Sequence, residues 1–286
     1  MQDYELFYIG FEGTLTLKNL TIRHAQSFDI YGGAIYNDTG ILKISNCTIT
    51  DNKCKKGGAI GNFNYATLSI KDSTISSNTV YDANLQMAGA IYNSVNSIAT
   101  IQSSTFSGNS AKLGGAIYNA GTLEITNSTF SGNIALQDGG AIYNIKEISI
   151  INSTLFGNSA FYQGAGIYNA YASLNFRNTI IANSTKGDDC HNGNLGTIGI
   201  NQNNLVEDGG CSAAYSGDPL LGSLADNGGP TKTHALLTGS NAIDTGYMGA
   251  CPTIDQRGID RPQGGGCDIG AFEKEYPLVF LPLITK

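Results

Sequence analysis

A six-residue motif recurs along most of the chain and constrains the fold more than any other feature of the sequence. It reads GGAIYN in its complete copies and differs at one or two positions in the others. The asparagines that close it are spaced 25, 31, 26, 25 and 25 residues apart. A period of roughly 20 to 50 residues is typical of repeat proteins. These asparagines are Asn37, Asn62, Asn93, Asn119, Asn144 and Asn169.

Each repeat also contains short segments in which apolar and polar residues alternate. Leu123 and Ile125 belong to one such segment, and Gly, Asn or Ser interrupts each segment within about ten residues, a pattern of strands rather than helices. A unit of three short strands buries its apolar side by coiling and stacking on its neighbours. We therefore predict an all-β fold, a parallel β-helix with about seven coils over residues 1–185.

Stacked coils place each residue above its counterpart one repeat earlier, about 4.8 Å away. The isoleucine of each motif points inward, so the asparagine two residues later points inward too. We expect these asparagines to form a hydrogen-bonded ladder that satisfies buried backbone groups. The gap of 31 residues predicts an inserted loop over residues 79–87.

The tyrosine between the isoleucine and the asparagine has the opposite parity and points outward. The row is interrupted where Gly61 replaces tyrosine. Such a stripe could bind sugar rings or a partner's apolar groups. Alternatively, the rings stack on one another and shield the corner, and the break at Gly61 favours this second interpretation. The stripe consists of Tyr36, Tyr92, Tyr118, Tyr143 and Tyr168.

Composition excludes some partners and indicates a compartment. Charged residues make up 14% of the chain, the net charge is −7, and no basic stripe suited to nucleic acid is present. The apolar runs are too short for a membrane span of roughly 18 residues. Six cysteines without metal-site spacing favour disulfides and an exported protein. They fall into three local groups: Cys47 and Cys54, Cys190 and Cys211, and Cys251 and Cys267.

The repeats resemble those of bacterial right-handed parallel β-helix proteins with GGAI-type motifs, as found in polymorphic outer-membrane proteins. The segments DPLLGSLADNGGPTKTHALLTGSNAIDTG, 218–246, and CPTIDQRGIDRPQGGGCDIGAFE, 251–273, resemble the choice-of-anchor Q domain. The resemblance implies a right-handed β-solenoid of the pectin-lyase-like fold, a loop-rich C-terminal capping module over 186–275 and a Cys251–Cys267 disulfide. It also implies a bacterial protein that is secreted or displayed at the cell surface. The N-terminal residues lack the features of a signal peptide, so either a leader precedes them or the exported assignment is wrong.

Parallel β-helices include polysaccharide lyases and glycoside hydrolases, so a catalytic site must be considered. The segment KGDDCHNG, 186–193, offers Asp188, Asp189 and His191. Inverting hydrolysis needs two carboxylates about 6.5–9.5 Å apart, which adjacent residues provide only with a third carboxylate from another coil. The same segment is explained more simply as the exit from the solenoid, closed by pairing of Cys190 with Cys211. We therefore predict no catalytic site.

Acidic residues of the C-terminal module could hold calcium, but their spacing fits neither an EF-hand nor an RTX repeat. Turn-forming and capping roles are the better explanation for aspartate in such loops. No other metal or cofactor is predicted. The residues in question are Asp226, Asp244, Asp255 and Asp268.

These features predict a non-catalytic extracellular or cell-surface protein with a structural or adhesive role and a carbohydrate or cell-surface ligand. Copies could stack end to end into a filament, with the apolar tail, 276–286, of one copy on the first coil of the next. The simpler interpretation is that the tail folds back on its own module or leads to an anchor. The alternative function is a polysaccharide-active enzyme or a carbohydrate-binding protein.

Overall fold

The computed structural model describes residues 6–27, 31–81, 87–193 and 195–276. Strands dominate these residues, and their helical segments are two 3-10 turns, Gly210–Ser212 and Met248–Ala250. The predicted all-β class is confirmed. The predicted tail beyond Tyr276 and the centre of the predicted insertion, 82–86, lie outside the described residues.

The strands stack in parallel into four sheets, and each strand pairs with its counterpart one repeat away. Sheet 1 consists of β1 (Phe7–Ile9), β4 (Ile35–Asp38), β8 (Ile60–Phe63), β12 (Ile91–Asn93), β16 (Ile117–Asn119), β20 (Ile142–Asn144), β24 (Ile167–Asn169) and β27 (Cys190–Asn192). Sheet 2 consists of β2 (Thr14–Lys18), β5 (Ile41–Ser45), β9 (Thr67–Lys71), β13 (Ile98–Gln102), β17 (Thr122–Thr126), β21 (Ile148–Ile151), β25 (Ser173–Arg177) and β28 (Thr197–Gln202). Sheet 3 consists of β3 (Thr21–Arg23), β6 (Thr48–Thr50), β10 (Thr74–Ser76), β14 (Thr105–Ser107), β18 (Thr129–Ser131), β22 (Thr154–Phe156), β26 (Ile180–Ala182) and β29 (Leu205–Val206). Sheet 4 is shorter and consists of β7 (Lys53–Cys54), β11 (Thr79–Val80), β15 (Ser110–Ala111), β19 (Ile134–Ala135) and β23 (Ser159–Ala160).

This arrangement is a parallel β-solenoid of eight coils, close to the predicted number. The eighth coil contains β27, β28 and β29, which pair in parallel with β24, β25 and β26. The strand ladder therefore continues to Val206, and the predicted end of the solenoid at residue 185 falls one coil too early. The physical reason is that CHN at 190–192 takes the place of IYN while keeping the register, since Asn192 pairs with Asn169.

The interior is built from columns of like side chains, as vertical register requires. The motif isoleucines from Ile35 to Ile167 are fully buried, and Phe106 stacks on Phe130 at 4.8 Å between ring centroids. Burying an isoleucine contributes roughly 1.5–3 kcal/mol relative to leaving it exposed. The repeated column is thus a main source of stability.

Two asparagine ladders run beside this apolar core. In the first, each Nδ2 donates to the Oδ1 of the next coil at 2.8–2.9 Å. It contains the six motif asparagines and one more, Asn192, which lies in the eighth coil. In the second, the side chains of Asn52, Asn78, Asn109, Asn133 and Asn158 are joined at 3.0 Å. Both ladders also donate to backbone carbonyls, so they satisfy backbone groups at the buried corners.

The corners use residues that tolerate unusual backbone angles. Between sheets 2 and 3 each coil has one residue at positive φ, and asparagine is common there because its short polar side chain tolerates this conformation. At the motif's glycine pair, Gly114 has a φ of 65°, and a Cβ added to Gly115 would lie 2.0 Å from the carbonyl oxygen of Gly140. The first glycine therefore supplies a backbone angle, and the second permits close approach of the next coil.

The segment after the last coil closes that end of the stack. Tyr215 donates its backbone N–H to Asn204 and accepts one from Val206, both at 3.0 Å. The disulfide between Cys190 and Cys211 ties the segment to β27. Residues 207–217 therefore cover part of the edge of the eighth coil.

The remaining C-terminal residues lie along the side of the solenoid, on the outer face of sheet 3. Thr105 donates to the carbonyl of Lys232 at 2.6 Å, Thr129 donates to Gln256 Oε1 at 2.7 Å, and the N–H of Ala271 donates to Thr154 Oγ1 at 3.0 Å. Coils four to seven contribute these contacts, together with the carbonyl of Asn178. The module thus covers a flank, whereas its predicted position was at the end of the stack.

Candidate functional site

The outward tyrosines of sheet 1 form a column of stacked rings. Ring centroids are 5.2 Å apart between Tyr92 and Tyr118, 5.3 Å between Tyr118 and Tyr143, and 5.0 Å between Tyr143 and Tyr168. The planes deviate from parallel by at most 14°. The parallel register of the strands explains this geometry, because it places each ring over the one a coil earlier.

The column is continuous where the sequence predicted a break at Gly61. The ring of Phe63 lies 5.0 Å from that of Tyr92 and 5.6 Å from that of Tyr36, and it fills the position that a tyrosine at 61 would take. A Cβ on Gly61 would lie 2.7 Å from the Phe63 ring, so the glycine makes room for it. Phe63 has the same strand parity as Gly61, and this was the signal that sequence reasoning missed.

The column ends differently at its two ends. Tyr8 packs edge-on against Tyr36 at 5.4 Å, whereas His191 stacks flat on Tyr168 at 5.3 Å with an angle of 6°. Inner rings therefore have both faces covered by neighbours and offer mainly their edges and hydroxyl groups to a ligand. We refer to Tyr8, Tyr36, Phe63, Tyr92, Tyr118, Tyr143, Tyr168 and His191 as the aromatic column.

Burial within the column changes the acidity of its hydroxyl groups. Burial first, and the neighbouring Tyr118 and Tyr31 second, raise the pKa of Tyr92 to about 12. Burial also raises the pKa of Tyr143 and of Tyr118. These phenols stay protonated at neutral pH. They are hydrogen-bond donors along the flank rather than bases.

The three predicted catalytic candidates are divided between two environments. Asp188 Oδ2 lies 2.8 Å from His191 Nδ1, and Asp188 Oδ1 accepts the N–H of Gly164 at 2.6 Å. Asp189 is buried, exchanges backbone-to-carboxylate hydrogen bonds with Asp208, and accepts the hydroxyl of Ser184. Burial is the main cause that raises the pKa of Asp189. The carboxylates of Asp188 and Asp189 thus serve different parts of the fold, and Asp189 closes a turn.

A shallow groove that sequence reasoning missed lies beside the C-terminal end of the column. Its volume is about 510 Å³, and it is lined by Asp138, Phe161, Tyr162 and Gln163. Burial raises the pKa of Asp138, the N–H of Gln163 and His191 lower it, and Asp188 raises it again. The Asp188–His191 pair lies next to the groove, because the adjacent N–H groups of Gln163 and Gly164 donate to Asp138 and Asp188. Asp138, Gln163 and Asp188 all lie within four residues before the first strand of a coil, and this shared location was the available signal.

The cysteines follow the predicted local groups in two cases and depart from them in the third. Cys190 is bonded to Cys211 and Cys251 to Cys267. Cys47 and Cys54 do not form a disulfide, so that prediction is wrong. Cys47 is buried in the main core before β6, and Cys54 is buried in β7 of sheet 4. The two therefore lie in different layers of the coil.

The acidic residues of the C-terminal module bind backbone N–H groups and arginines of the same module. Asp255 accepts the N–H groups of Arg257 and Ile259 through Oδ1 and pairs with the Arg257 guanidinium through Oδ2 at 2.8 Å. Asp268 accepts N–H groups from Asp244 and Lys274, and burial raises its pKa to about 6.

Two further contacts complete this polar interior. Glu273 pairs with the buried Arg261 at 2.8 Å, and Asp226 accepts the N–H of Gly228 in a turn. Within the described ranges, no group of three or more His, Cys, Asp or Glu side chains could hold a metal ion.

The family model of the Chlamydia polymorphic membrane protein repeat matches residues 103–120 and 127–145. No curated protein and no solved structure matches the chain. In the part of the chain that the structure describes, no helix is long and apolar enough to cross a membrane. Each matched segment runs from sheet 3 to the next sheet 1 strand, and over these two segments the chain is similar to the Chlamydia polymorphic membrane protein repeat.

Proposed function

We propose that the chain is a non-catalytic extracellular or cell-surface protein, a rigid solenoid with a structural and adhesive role. The observation that carries this proposal is the continuity of its ladders. One asparagine ladder runs through seven coils, and the aromatic column runs through all eight. An object held by repeated interior bonds resists bending and presents its flank at a fixed geometry.

Two other observations support this role. The similarity to the polymorphic membrane protein repeat fits display at the outer surface of a bacterium, since that family is one of membrane proteins. The two disulfides fit an oxidising environment. The candidate catalytic residues also have structural partners: His191 ends the aromatic column, and Asp189 closes a turn.

The C-terminal end of the stack is partly covered by the chain itself. A head-to-tail filament would need an uncovered edge at the eighth coil, and residues 207–217 cover part of that edge. We therefore propose that partners bind along the flank. Filaments in negative-stain images of concentrated protein would contradict this arrangement.

Adhesion and catalysis can be tested with the same preparation. Beads coated with the folded protein are expected to attach to cell monolayers, and beads coated with reduced, heat-unfolded protein provide the control. The protein is separately incubated with pectin, alginate and glycosaminoglycans. New reducing ends or unsaturated products, or equal attachment of both bead types, would refute the proposed function.

A further inference from the structure

We propose that the groove beside the sixth to eighth coils is a binding site for neutral oligosaccharides. This inference rests on the proposed adhesive role and names the ligand class of the flank. Pyranose sugars present an apolar face of C–H groups and a rim of hydroxyl groups. A site for them needs an exposed ring and convergent polar groups, and the groove supplies both.

The apolar part of the site is a pair of adjacent exposed rings. Phe161 and Tyr162 are 53% and 59% exposed, and their rings meet edge to face at 4.9 Å. Two neighbouring aromatic side chains in water are unfavourable unless something covers them, and such patches often mark binding sites. Unlike the inner rings of the aromatic column, these rings are not covered by a stack on both sides.

The polar part of the site comes from the segments that precede the first strands of three successive coils. Asp138 and Gln163 line the groove, and Asp138 accepts the backbone N–H of Gln163 at 3.2 Å. Asp188 lies next to them, since it accepts the N–H of Gly164, the residue after Gln163, at 2.6 Å and pairs with His191 at 2.8 Å. A carboxylate accepts hydrogen bonds from two neighbouring hydroxyl groups, and an amide both donates and accepts. These groups match the hydroxyl rim of a sugar.

The negative charges near the groove favour neutral sugars over acidic ones. Asp138 and Asp188 repel the carboxylates and sulfates of acidic polysaccharides, and the protein has a net charge of −7. The ammonium group of Lys186 lies over the Phe161 ring at 3.6 Å and is therefore engaged in a cation–π contact. Neutral hexoses and N-acetylhexosamines meet no such repulsion. The chemistry favours them over pectin, alginate or heparin.

The test is binding of the full chain to an array of neutral oligomers of glucose, galactose and N-acetylglucosamine, with polygalacturonate and heparin alongside. Titration calorimetry then follows the best neutral oligomer. We expect Tyr162→Ala and Asp138→Asn each to weaken binding at least tenfold. Phe11→Ala, which removes an exposed ring at the opposite end of the solenoid, should leave the affinity unchanged. Circular dichroism and the melting temperature verify that each variant is folded.

Several results would overturn the inference. It fails if no neutral oligomer binds, if the acidic polymers bind more tightly, or if a folded Tyr162→Ala protein binds like the wild type. Bead attachment separates this failure from that of the proposed function. Beads that still attach to cells while the array shows no neutral ligand would reject the glycan site alone.

Discussion

Replacement of Asn119 by leucine tests whether the first asparagine ladder stabilises the solenoid. Its Nδ2 donates to Asn144 Oδ1 at 2.8 Å and to the carbonyls of Glu147 and Gly121 at 2.9 and 3.2 Å. Its Oδ1 accepts from Asn93 Nδ2 at 2.8 Å and from the N–H of Gly121 at 3.2 Å. The side chain is fully buried, so water does not replace these bonds.

Leucine has nearly the same size and none of the hydrogen-bonding groups. Asn144 Oδ1 and the N–H of Gly121 would lose the bonds described above, while Asn93 keeps its bond to the carbonyl of Thr122. Each buried group left without a partner costs about 1–3 kcal/mol. Two such groups lower the free energy of unfolding by roughly 2–6 kcal/mol.

The assay is guanidinium denaturation followed by circular dichroism. The matched control is Glu124→Leu, on the exposed outer face of sheet 2 in the same coil, which should change the free energy of unfolding by no more than about 0.5 kcal/mol. If Asn119→Leu costs no more than this control, the ladder does not stabilise the corner and the reasoning is wrong.

Three further predictions address the column and the module. Phe63→Ala should lower the free energy of unfolding by about 3–5 kcal/mol, because it opens a gap in the aromatic column. The control Phe11→Ala should have little effect. Equal losses of stability for the two variants in thermal melts would contradict this prediction. Because the pKa of Tyr92 is raised from 10.0 to about 12, the folded protein holds a proton that the unfolded chain releases above pH 10. Stability should therefore fall as the pH rises from about 10 to about 12, and Tyr92→Phe should reduce that slope in alkaline denaturation; an unchanged slope would exclude this residue. Replacing both Cys251 and Cys267, which are 16 residues apart, by serine should lower the free energy of unfolding by about 3 kcal/mol relative to the unmodified protein without reductant. Free thiols at these positions in the wild type would refute the disulfide.

The architecture could be predicted because the repeat period determines which residues stack on one another. Aligned asparagines fixed which residues stack, and strand parity fixed which of them point inward. The same logic did not reach the eighth coil, since Cys190 and His191 replace the isoleucine and tyrosine there. Asn192 lies 23 residues after Asn169 and was the remaining mark of the repeat.

Other features were missed because they depend on side chains that exchange roles or on contacts far apart in sequence. Phe63 enters the column from two residues beyond the usual position. Thr129 and Gln256 are 127 residues apart, and nothing in either local sequence indicates that they meet. The groove combines Asp138 with Phe161, which belong to different coils, so only the coil-to-coil register brings them together.

The position of the C-terminal module also limits how such a chain can change in length. Gln256 bridges Thr105 and Thr129 in neighbouring coils, and Gly270 reaches the carbonyl of Asn178 two coils further on. The contacts of the module therefore fit a fixed number of coils. Duplication or loss of a whole repeat ahead of residue 103 would leave these contacts intact. The same event between residues 105 and 178 would move the contacting residues of the coils out of register with those of the module. Variation in the number of coils is thus expected mainly in the N-terminal part of the solenoid.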